Sequence, residues 1–247
     1  MNVAIIGAGK FGRALARLFD KYLPEASYAL LDRQERAGVS SNLEDIRQFG
    51  WIIPAVPISA FAAVLQQIAP FLRPGSTVVD VCTVKEYPAQ KMKEILPETV
   101  QFVASHPLFG PETLERSGYR LNGLPFVIWP ARIADAAYQK LKEGLKKTGL
   151  NVLELPPEEH DRLMARSQFI TLLTGNILNR LNLNPTPIDT YSFSTLLEVC
   201  AVTGDDFGIL RDVYRFNSQS RELLREFEKA ATEVLKELKS KKNPPQD

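Results

Sequence analysis

The first half of the chain alternates between two hydrophobic patterns. Continuous apolar runs rich in β-branched residues are typical of strands buried on both faces of a parallel sheet. These runs cover residues 2–7, 28–32, 51–57, 76–82, 100–105 and 125–130. Residues 10–23 and 60–72 instead place apolar side chains at helical spacing. Strands that alternate with helices predict βαβ units with right-handed crossovers.

The second half of the chain lacks these strand patterns. Residues 158–181, which follow two prolines, predict one long amphipathic helix. Further helices are predicted near residues 192–202, 205–216 and 217–242. The sequence therefore predicts an α/β protein: an N-terminal Rossmann-type domain with a mostly parallel sheet at residues 1–154, and an all-α C-terminal domain at residues 155–247.

Composition and charge narrow the class of protein. The chain has 247 residues, is 45% hydrophobic and has a formal net charge of +1, which gives no reason to expect nucleic acid or an anionic membrane as a partner. Cys82 and Cys200 lie far apart and suit a reducing compartment, and no residue set has metal-ligand spacing. No run approaches the roughly 18 apolar residues of a membrane span. We expect a soluble cytoplasmic protein.

A glycine-rich loop follows the first predicted strand. Gly7, Gly9 and Gly12 match G-x-G-x-x-G and open an amphipathic helix, which is the context that dinucleotide binding requires. Gly7 permits the tight turn, Gly9 lets the backbone approach a pyrophosphate, and Gly12 lets the helix pack closely on the strand. The helix N-terminus then faces the phosphates.

Two neighbouring residues bear on the choice of cofactor. Asp32 ends the second strand, where a carboxylate binds the adenosine ribose hydroxyls and repels a 2′-phosphate, so NAD is favoured. Arg33 keeps NADP open as the alternative, because its guanidinium suits adenine or that phosphate. Four further residues are expected to contact the cofactor: Lys10, Phe11, Val56 and Pro57.

His106 lies at the end of another predicted strand, within ASHPLFGP (104–111). Ligands of open α/β folds bind at this edge of the sheet, and a neutral imidazole there accepts a proton or a hydrogen bond from a hydroxyl undergoing oxidation. Capping of the strand end is the structural alternative. Thr83 suits a hydrogen bond to His106 or to the substrate, and Lys85 suits a phosphate or a carboxylate; both are equally compatible with water-facing positions.

His160, the second histidine, opens the long helix together with Asp161. Acidic residues are favoured in a first helical turn by the helix dipole. We expect a solvated first-turn histidine here, and the alternative is a His-Asp element near the cleft between the domains.

Four segments in order carry a resemblance to a known family: GAGKFG (7–12), VDVCTVK (79–85), SHPLFGP (105–111) and EEHDRLMARSQFI (158–170). Together they resemble the prephenate/arogenate dehydrogenases. Members of that family have a glycine-rich NAD(P) loop, a D-x-x-S-V-K-like strand end and an H-P-M-[FA]-G segment. They also have an H-D pair that opens the first helix of an all-α dimerisation domain. The resemblance covers nearly the whole chain.

The resemblance implies a reaction, the oxidative decarboxylation of a cyclohexadienol on the way to tyrosine. Hydride passes from the ring carbon that bears the hydroxyl to the nicotinamide, and carbon dioxide leaves as the ring becomes aromatic. His106 matches the family's catalytic histidine, which accepts a hydrogen bond from the ring hydroxyl. Thr83 matches a serine that orients this histidine and touches the nicotinamide side.

The second domain departs from the family pattern. Where members commonly have SHLPH, this chain has Ser167 to Thr171, which keeps the serine and lacks both histidines. Ser194 falls where many members have an arginine that pairs with the ring carboxylate, a contact that serine cannot replace. We expect Ser167, Thr171 and Ser194 at the substrate site. Three arginines are candidates to replace the missing one: Arg166, Arg211 and Arg215.

These departures leave three functions open. The protein is a prephenate or arogenate dehydrogenase, a related dehydrogenase of another small acid, or a dinucleotide-binding sensor without turnover.

The C-terminal helices carry apolar stripes, one through Leu172 to Leu181 and one through Leu223 to Leu235. Because symmetric dimers are the commonest way to bury such surfaces, we expect a homodimer through the helical domain, with a monomeric four-helix cap as the alternative.

Overall fold

The computed structural model describes residues 1–33, 38–204 and 207–240. The chain packs as two compact units, Met1–His160 and Asp161–Asp247. The predicted boundary after residue 154 lies earlier, at the end of the last strand, whereas the units divide within a helix. Residues 205, 206, 241 and 242 of the predicted C-terminal helices lie outside the described residues.

The described residues of unit 1 form an eight-stranded sheet with helices on its connections. Its strands are β1 (Asn2–Ile6), β2 (Ser27–Leu31), β3 (Val39–Ser40), β4 (Trp51–Pro54), β5 (Thr77–Val79), β6 (Gln101–Pro107), β7 (Pro125–Arg132) and β8 (Asn151–Glu154). Its helices are α1 (Lys10–Tyr22), α2 (Ile58–Ile68), α3 (Glu86–Ile95), α4 (Pro111–Arg116) and α5 (Asp135–Lys147). The strand order is β3-β2-β1-β4-β5-β6-β7-β8.

The sheet is parallel except at one pair of strands. β6 and β7 are antiparallel, and β7 pairs with β8 in parallel. The strands nearest β1 are deeply buried: Val3, Ile5 and Ile52 are fully shielded from solvent, as their continuous apolar runs predict. β1 pairs with β2 on one side and with β4 on the other. Successive strands are therefore added first on one side of β1 and then on its other side. Folds of this kind bind ligands at the point where the strand order reverses.

Unit 2 is helical. α6 (Pro157–Met164) begins in unit 1, and a π-helical turn at Ala165–Phe169 joins it to α7 (Ile170–Asn179), so the predicted helix at 158–181 is one run with a local irregularity. The remaining helices are α8 (Tyr191–Thr203), α9 (Phe207–Phe216) and α10 (Ser218–Lys239). The small core of this unit is formed by Phe169, Leu210 and Val213. The predicted fold class, a mostly parallel Rossmann-type sheet followed by helices, is confirmed. No helix among the described residues is long and apolar enough to cross a membrane.

Candidate active site

The carboxyl ends of five adjacent strands bring most of the candidate residues to one edge of the sheet. The glycine loop follows β1, Asp32 follows β2, Val56 and Pro57 follow β4, and Thr83 lies beyond β5. His106 lies on β6, one residue before that strand ends. The sequence-predicted cofactor and catalytic positions of unit 1 therefore share the edge at which open α/β sheets bind ligands.

The three glycines of the loop have different reasons to be glycine. Gly7 has φ +105°, and a Cβ there would collide with the backbone oxygen of Ala55. A Cβ at Gly12 would collide with the backbone oxygen of Gly7, because α1 packs directly on the loop. Around a Cβ at Gly9, no atom of the described residues lies within 4 Å. The packing of the protein alone therefore does not require glycine at position 9, and the open space there suits a phosphate group that approaches the backbone.

The N-terminus of α1 is available to an anion. In the described part of the chain no side chain caps this helix at Gly9, and its first turn contains no acidic residue. Backbone N–H groups at such an end, together with the helix dipole, attract phosphate. Lys10 adds a mostly exposed ammonium whose nitrogen lies 3.7 Å from a carboxylate oxygen of Glu112, and Phe11 is half-buried.

Asp32 is fixed beside this loop. Its Oδ2 accepts a hydrogen bond of 2.8 Å from the backbone N–H of Ala8. The carboxylate is thereby held where a bound ribose would present its hydroxyls. Arg33 is exposed at the next position, and Val56 lies close to Gly7. The loop, the helix end and this carboxylate together fit a dinucleotide.

His106 and His160 form a buried pair, which the sequence interpretation missed. The Nδ1 atom of His106 lies 2.9 Å from Nε2 of His160. The two side chains are 4% and 1% exposed, so the expectation of a solvated His160 is wrong. Burial, and then the nearby Lys85 and His160, lower the pKa of His106 well below its usual value. His106 is therefore a neutral imidazole at pH 7.

A buried ion pair supports the strand that carries His106. The Lys85 ammonium contacts the Asp80 carboxylate and donates a hydrogen bond of 2.5 Å to the backbone oxygen of Ser105. The Ser105 hydroxyl donates in turn to the backbone oxygen of Asp80, also at 2.5 Å. Burial raises the pKa of Asp80, against the influence of Lys85 and of the Cys82 N–H that donates to its carboxylate. Lys85 thus binds a carboxylate of the protein itself and joins β5 to β6 next to His106.

Thr83 occupies a half-buried position beyond β5. Among the described residues, the Nδ1 atom of His106 lies at hydrogen-bond distance from His160, and the expected hydrogen bond from Thr83 to His106 is not present. The resemblance assigned the orienting role to Thr83, whereas the geometry gives this contact to His160. The H-D pair at positions 160 and 161 was the sequence signal for it.

The three candidate substrate residues all lie in unit 2 and are exposed. Their hydroxyls donate to carbonyls of their own helical segments: Ser167 to Leu163 at 2.8 Å, Thr171 to Ser167 at 2.9 Å, and Ser194 to Thr190 at 3.3 Å. Among the candidate arginines, Arg166 pairs with Glu226 at 3.1 Å. A role of these residues in substrate binding stays a prediction.

The sheet topology, the glycine loop and the ligand-edge histidine define a dinucleotide-binding protein of the Rossmann class. Comparison with known proteins narrows the class. Residues 24–153 match the family described as "Prephenate dehydrogenase, nucleotide-binding domain", and residues 177–247 match the family described as "TYRAAT1-like, C-terminal domain". The chain belongs to the prephenate/arogenate dehydrogenase family.

Individual relatives support this assignment. Arogenate dehydrogenase 1 of Arabidopsis thaliana is 32% identical over 96% of this chain, and arogenate dehydrogenase 2 of the same plant is 29% identical over 96%. The chain spans 39% of the length of the first and 70% of the second; both are named as chloroplastic. The crystal structure of a prephenate dehydrogenase from A. aeolicus, in complex with hydroxyphenyl propionate and NAD+, shares the fold. Its TM-score is 0.74 at 17% identity, covering 97% of this chain and 92% of that one.

Proposed function

We propose that this protein is an NAD(P)-dependent dehydrogenase that oxidatively decarboxylates arogenate or prephenate. The observation that carries the proposal is a buried histidine with a lowered pKa, His106, at the ligand edge of a dinucleotide-binding sheet. A neutral imidazole at that edge accepts a hydrogen bond from the ring hydroxyl and then its proton. As the hydroxyl oxygen loses its proton to His106, the ring carbon that bears this hydroxyl loses a hydride, and carbon dioxide leaves as the ring becomes aromatic.

The residues of the loop hold the cofactor in this proposal. The bound nicotinamide supplies the acceptor for the hydride. Gly9 and the N-terminus of α1 hold the pyrophosphate, and Asp32 binds the adenosine ribose. Because the Asp32 carboxylate repels a 2′-phosphate, NAD is the proposed cofactor and NADP the alternative, which Arg33 favours.

Arogenate is the first substrate to test. The two plant relatives are named arogenate dehydrogenases. Ser194 stands where the family resemblance implies an arginine that binds the ring carboxylate, and this favours the second candidate, a dehydrogenase of another small acid. Thr83, Ser167, Thr171 and Ser194 are proposed to contact the substrate.

The test is a panel of four reactions. Purified protein is mixed with arogenate or prephenate and with NAD or NADP, and nicotinamide reduction is followed together with carbon dioxide release. We expect reduction and release in equal amounts with at least one substrate. NAD binding without turnover on either substrate contradicts the proposed reaction and leaves another small acid or a sensor as the function.

The assembly and location are also proposals. Several large apolar side chains of unit 2 are exposed in the single chain, which supports a homodimer through the helices. Cys82 and Cys200 are both buried free thiols, which supports a reducing compartment such as the cytoplasm.

A further inference from the structure

The Nδ1 atom of His106 is occupied by a second histidine rather than by a hydroxyl or a carboxylate. The two rings meet edge to face, with their planes at 66° and their centroids 5.2 Å apart. The facing nitrogens, His106 Nδ1 and His160 Nε2, are 2.9 Å apart, which is hydrogen-bond distance. One of these two nitrogens must therefore carry a proton and the other a lone pair.

Burial disfavours a positive charge on either ring of the resting pair. Both side chains are almost fully buried, and Lys85 adds a positive charge nearby that disfavours a cationic His106. A neutral ring has one N–H and one bare nitrogen, so the direction of the bond between the rings decides what Nε2 of His106 presents. If His106 donates, Nε2 is a bare acceptor. If His160 donates, Nε2 of His106 carries the hydrogen and cannot accept a proton.

We infer that His160 is a positioning residue that accepts the Nδ1–H of His106 and so keeps the Nε2 lone pair of His106 directed to the substrate hydroxyl. This inference rests on the proposed function, because hydroxyl oxidation needs an acceptor at Nε2. A catalytic histidine can be held in one tautomer by a hydrogen-bond partner on the ring nitrogen that does not face the substrate, and His160 would play this part for His106. After His106 takes the hydroxyl proton, the Nδ1–H still points at a neutral acceptor, and the hydrogen bond spreads the new positive charge over two rings.

A spectrum of the resting protein tests the direction of the bond without any turnover. The chain contains only two histidines, so protein labelled with nitrogen-15 at histidine gives two imidazole rings, and a His160 variant assigns both. We expect His106 at pH 7 to be protonated at Nδ1 and bare at Nε2. Protonation of His106 at Nε2 would overturn the inference.

Two matched variants separate positioning from folding. The amide oxygen of His160→Gln reaches the place of Nε2 and accepts the same hydrogen bond, whereas His160→Leu fills the space without an acceptor. We expect His160→Gln to keep the His106 tautomer and to retain kcat/KM within about tenfold of the wild type. We expect His160→Leu to mix the two tautomers and to lose about 100-fold in kcat/KM.

The outcomes distinguish this inference from the proposed function. A single Nδ1–H tautomer in His160→Leu, or equal kcat/KM in the two variants, would show that His160 does not position His106. Absence of turnover in the wild type would contradict the proposed function, and the nitrogen-15 spectrum would still decide the direction of the bond. Circular dichroism and the melting temperature check that both variants fold.

Discussion

The charge on His106 determines the pH range in which the proposed reaction runs. The catalytic form is the neutral ring, and its pKa is lowered well below the usual 6.5 by burial, with Lys85 and His160 adding to the effect. The active form is therefore lost only when the pH falls through this lowered pKa, and it is fully present at and above neutrality. We expect kcat/KM to be flat through pH 7 and to fall on the acidic side of 6.5. A fall that begins above pH 7 would contradict a neutral, buried base.

A single carboxylate is expected to decide the cofactor preference. In Asp32→Asn the amide oxygen still accepts the hydrogen bond from Ala8, but the negative charge that repels a 2′-phosphate is lost. We expect the ratio of kcat/KM for NAD to that for NADP to fall by about tenfold or more. The control is Asp135→Asn, which removes an exposed charge in the first turn of α5. An unchanged ratio in Asp32→Asn would assign cofactor selection to Arg33.

In the loop between β1 and α1, one glycine is expected to affect cofactor binding and another to affect the stability of the fold. Gly9→Ala places a methyl group in open space, so we expect the melting temperature without cofactor to stay within a few degrees of the wild type. The methyl group occupies the proposed phosphate position, so we expect the Kd for NAD to rise about tenfold or more. Gly12→Ala is the matched variant: its Cβ collides with the Gly7 oxygen, and the melting temperature itself should drop. An unchanged Kd for NAD in Gly9→Ala would place the pyrophosphate elsewhere.

The join between β5 and β6 depends on the Asp80–Lys85 pair. Lys85→Met leaves the Asp80 carboxylate buried without its cation, and breaking a buried pair in this way costs about 3–5 kcal/mol of unfolding free energy. The double variant Asp80→Asn/Lys85→Met removes the unpaired charge and should recover part of the loss. Urea unfolding measures both. The control is Lys91→Met, which breaks the exposed Lys91–Glu94 pair and should leave the stability unchanged. Equal losses in the single and double variants would contradict an electrostatic cause.

The elements also show which parts of the structure can be predicted from sequence. Buried parallel strands such as β1 and β4 need a continuous apolar run, so their positions follow from the local pattern. The antiparallel direction of β7 depends on how the chain returns to the sheet, which no local pattern specifies. The π-helical turn at Ala165–Phe169 packs Phe169 against Tyr214, a residue distant in sequence.

Some residues of the candidate site can be predicted from local sequence and others cannot. The glycine loop and His106 are marked by short motifs whose positions relative to the strands are local. His160 was expected in solvent because its own segment is charged and begins a helix. Its burial against His106 joins two segments that are 54 residues apart, and only the fold brings them together.

In the whole molecule, several large apolar side chains of the helical unit are exposed to solvent. Leu235, which the pattern predicts to need burial, is 52% exposed in the single chain, and Val234 and Leu238 on the same helix are 56% and 77% exposed. Because such clustered apolar side chains mark protein interfaces, we expect a homodimer in analytical ultracentrifugation. Leu238→Glu should shift it towards monomer, whereas Lys91→Glu, on α3 of unit 1, should not. A monomeric wild type at all concentrations tested would favour the four-helix cap.

In the proposed function, His106 performs the chemistry at a cofactor site built by unit 1. The most direct measurement compares the wild type with His106→Gln for NAD reduction by arogenate, with the Kd for NAD determined on both proteins. Glutamine offers a hydrogen-bond acceptor but cannot hold the transferred proton. We predict a loss of kcat/KM of about 100-fold or more with an NAD Kd within about twofold of the wild type. Turnover that survives in His106→Gln at the wild-type rate would contradict the catalytic role of His106.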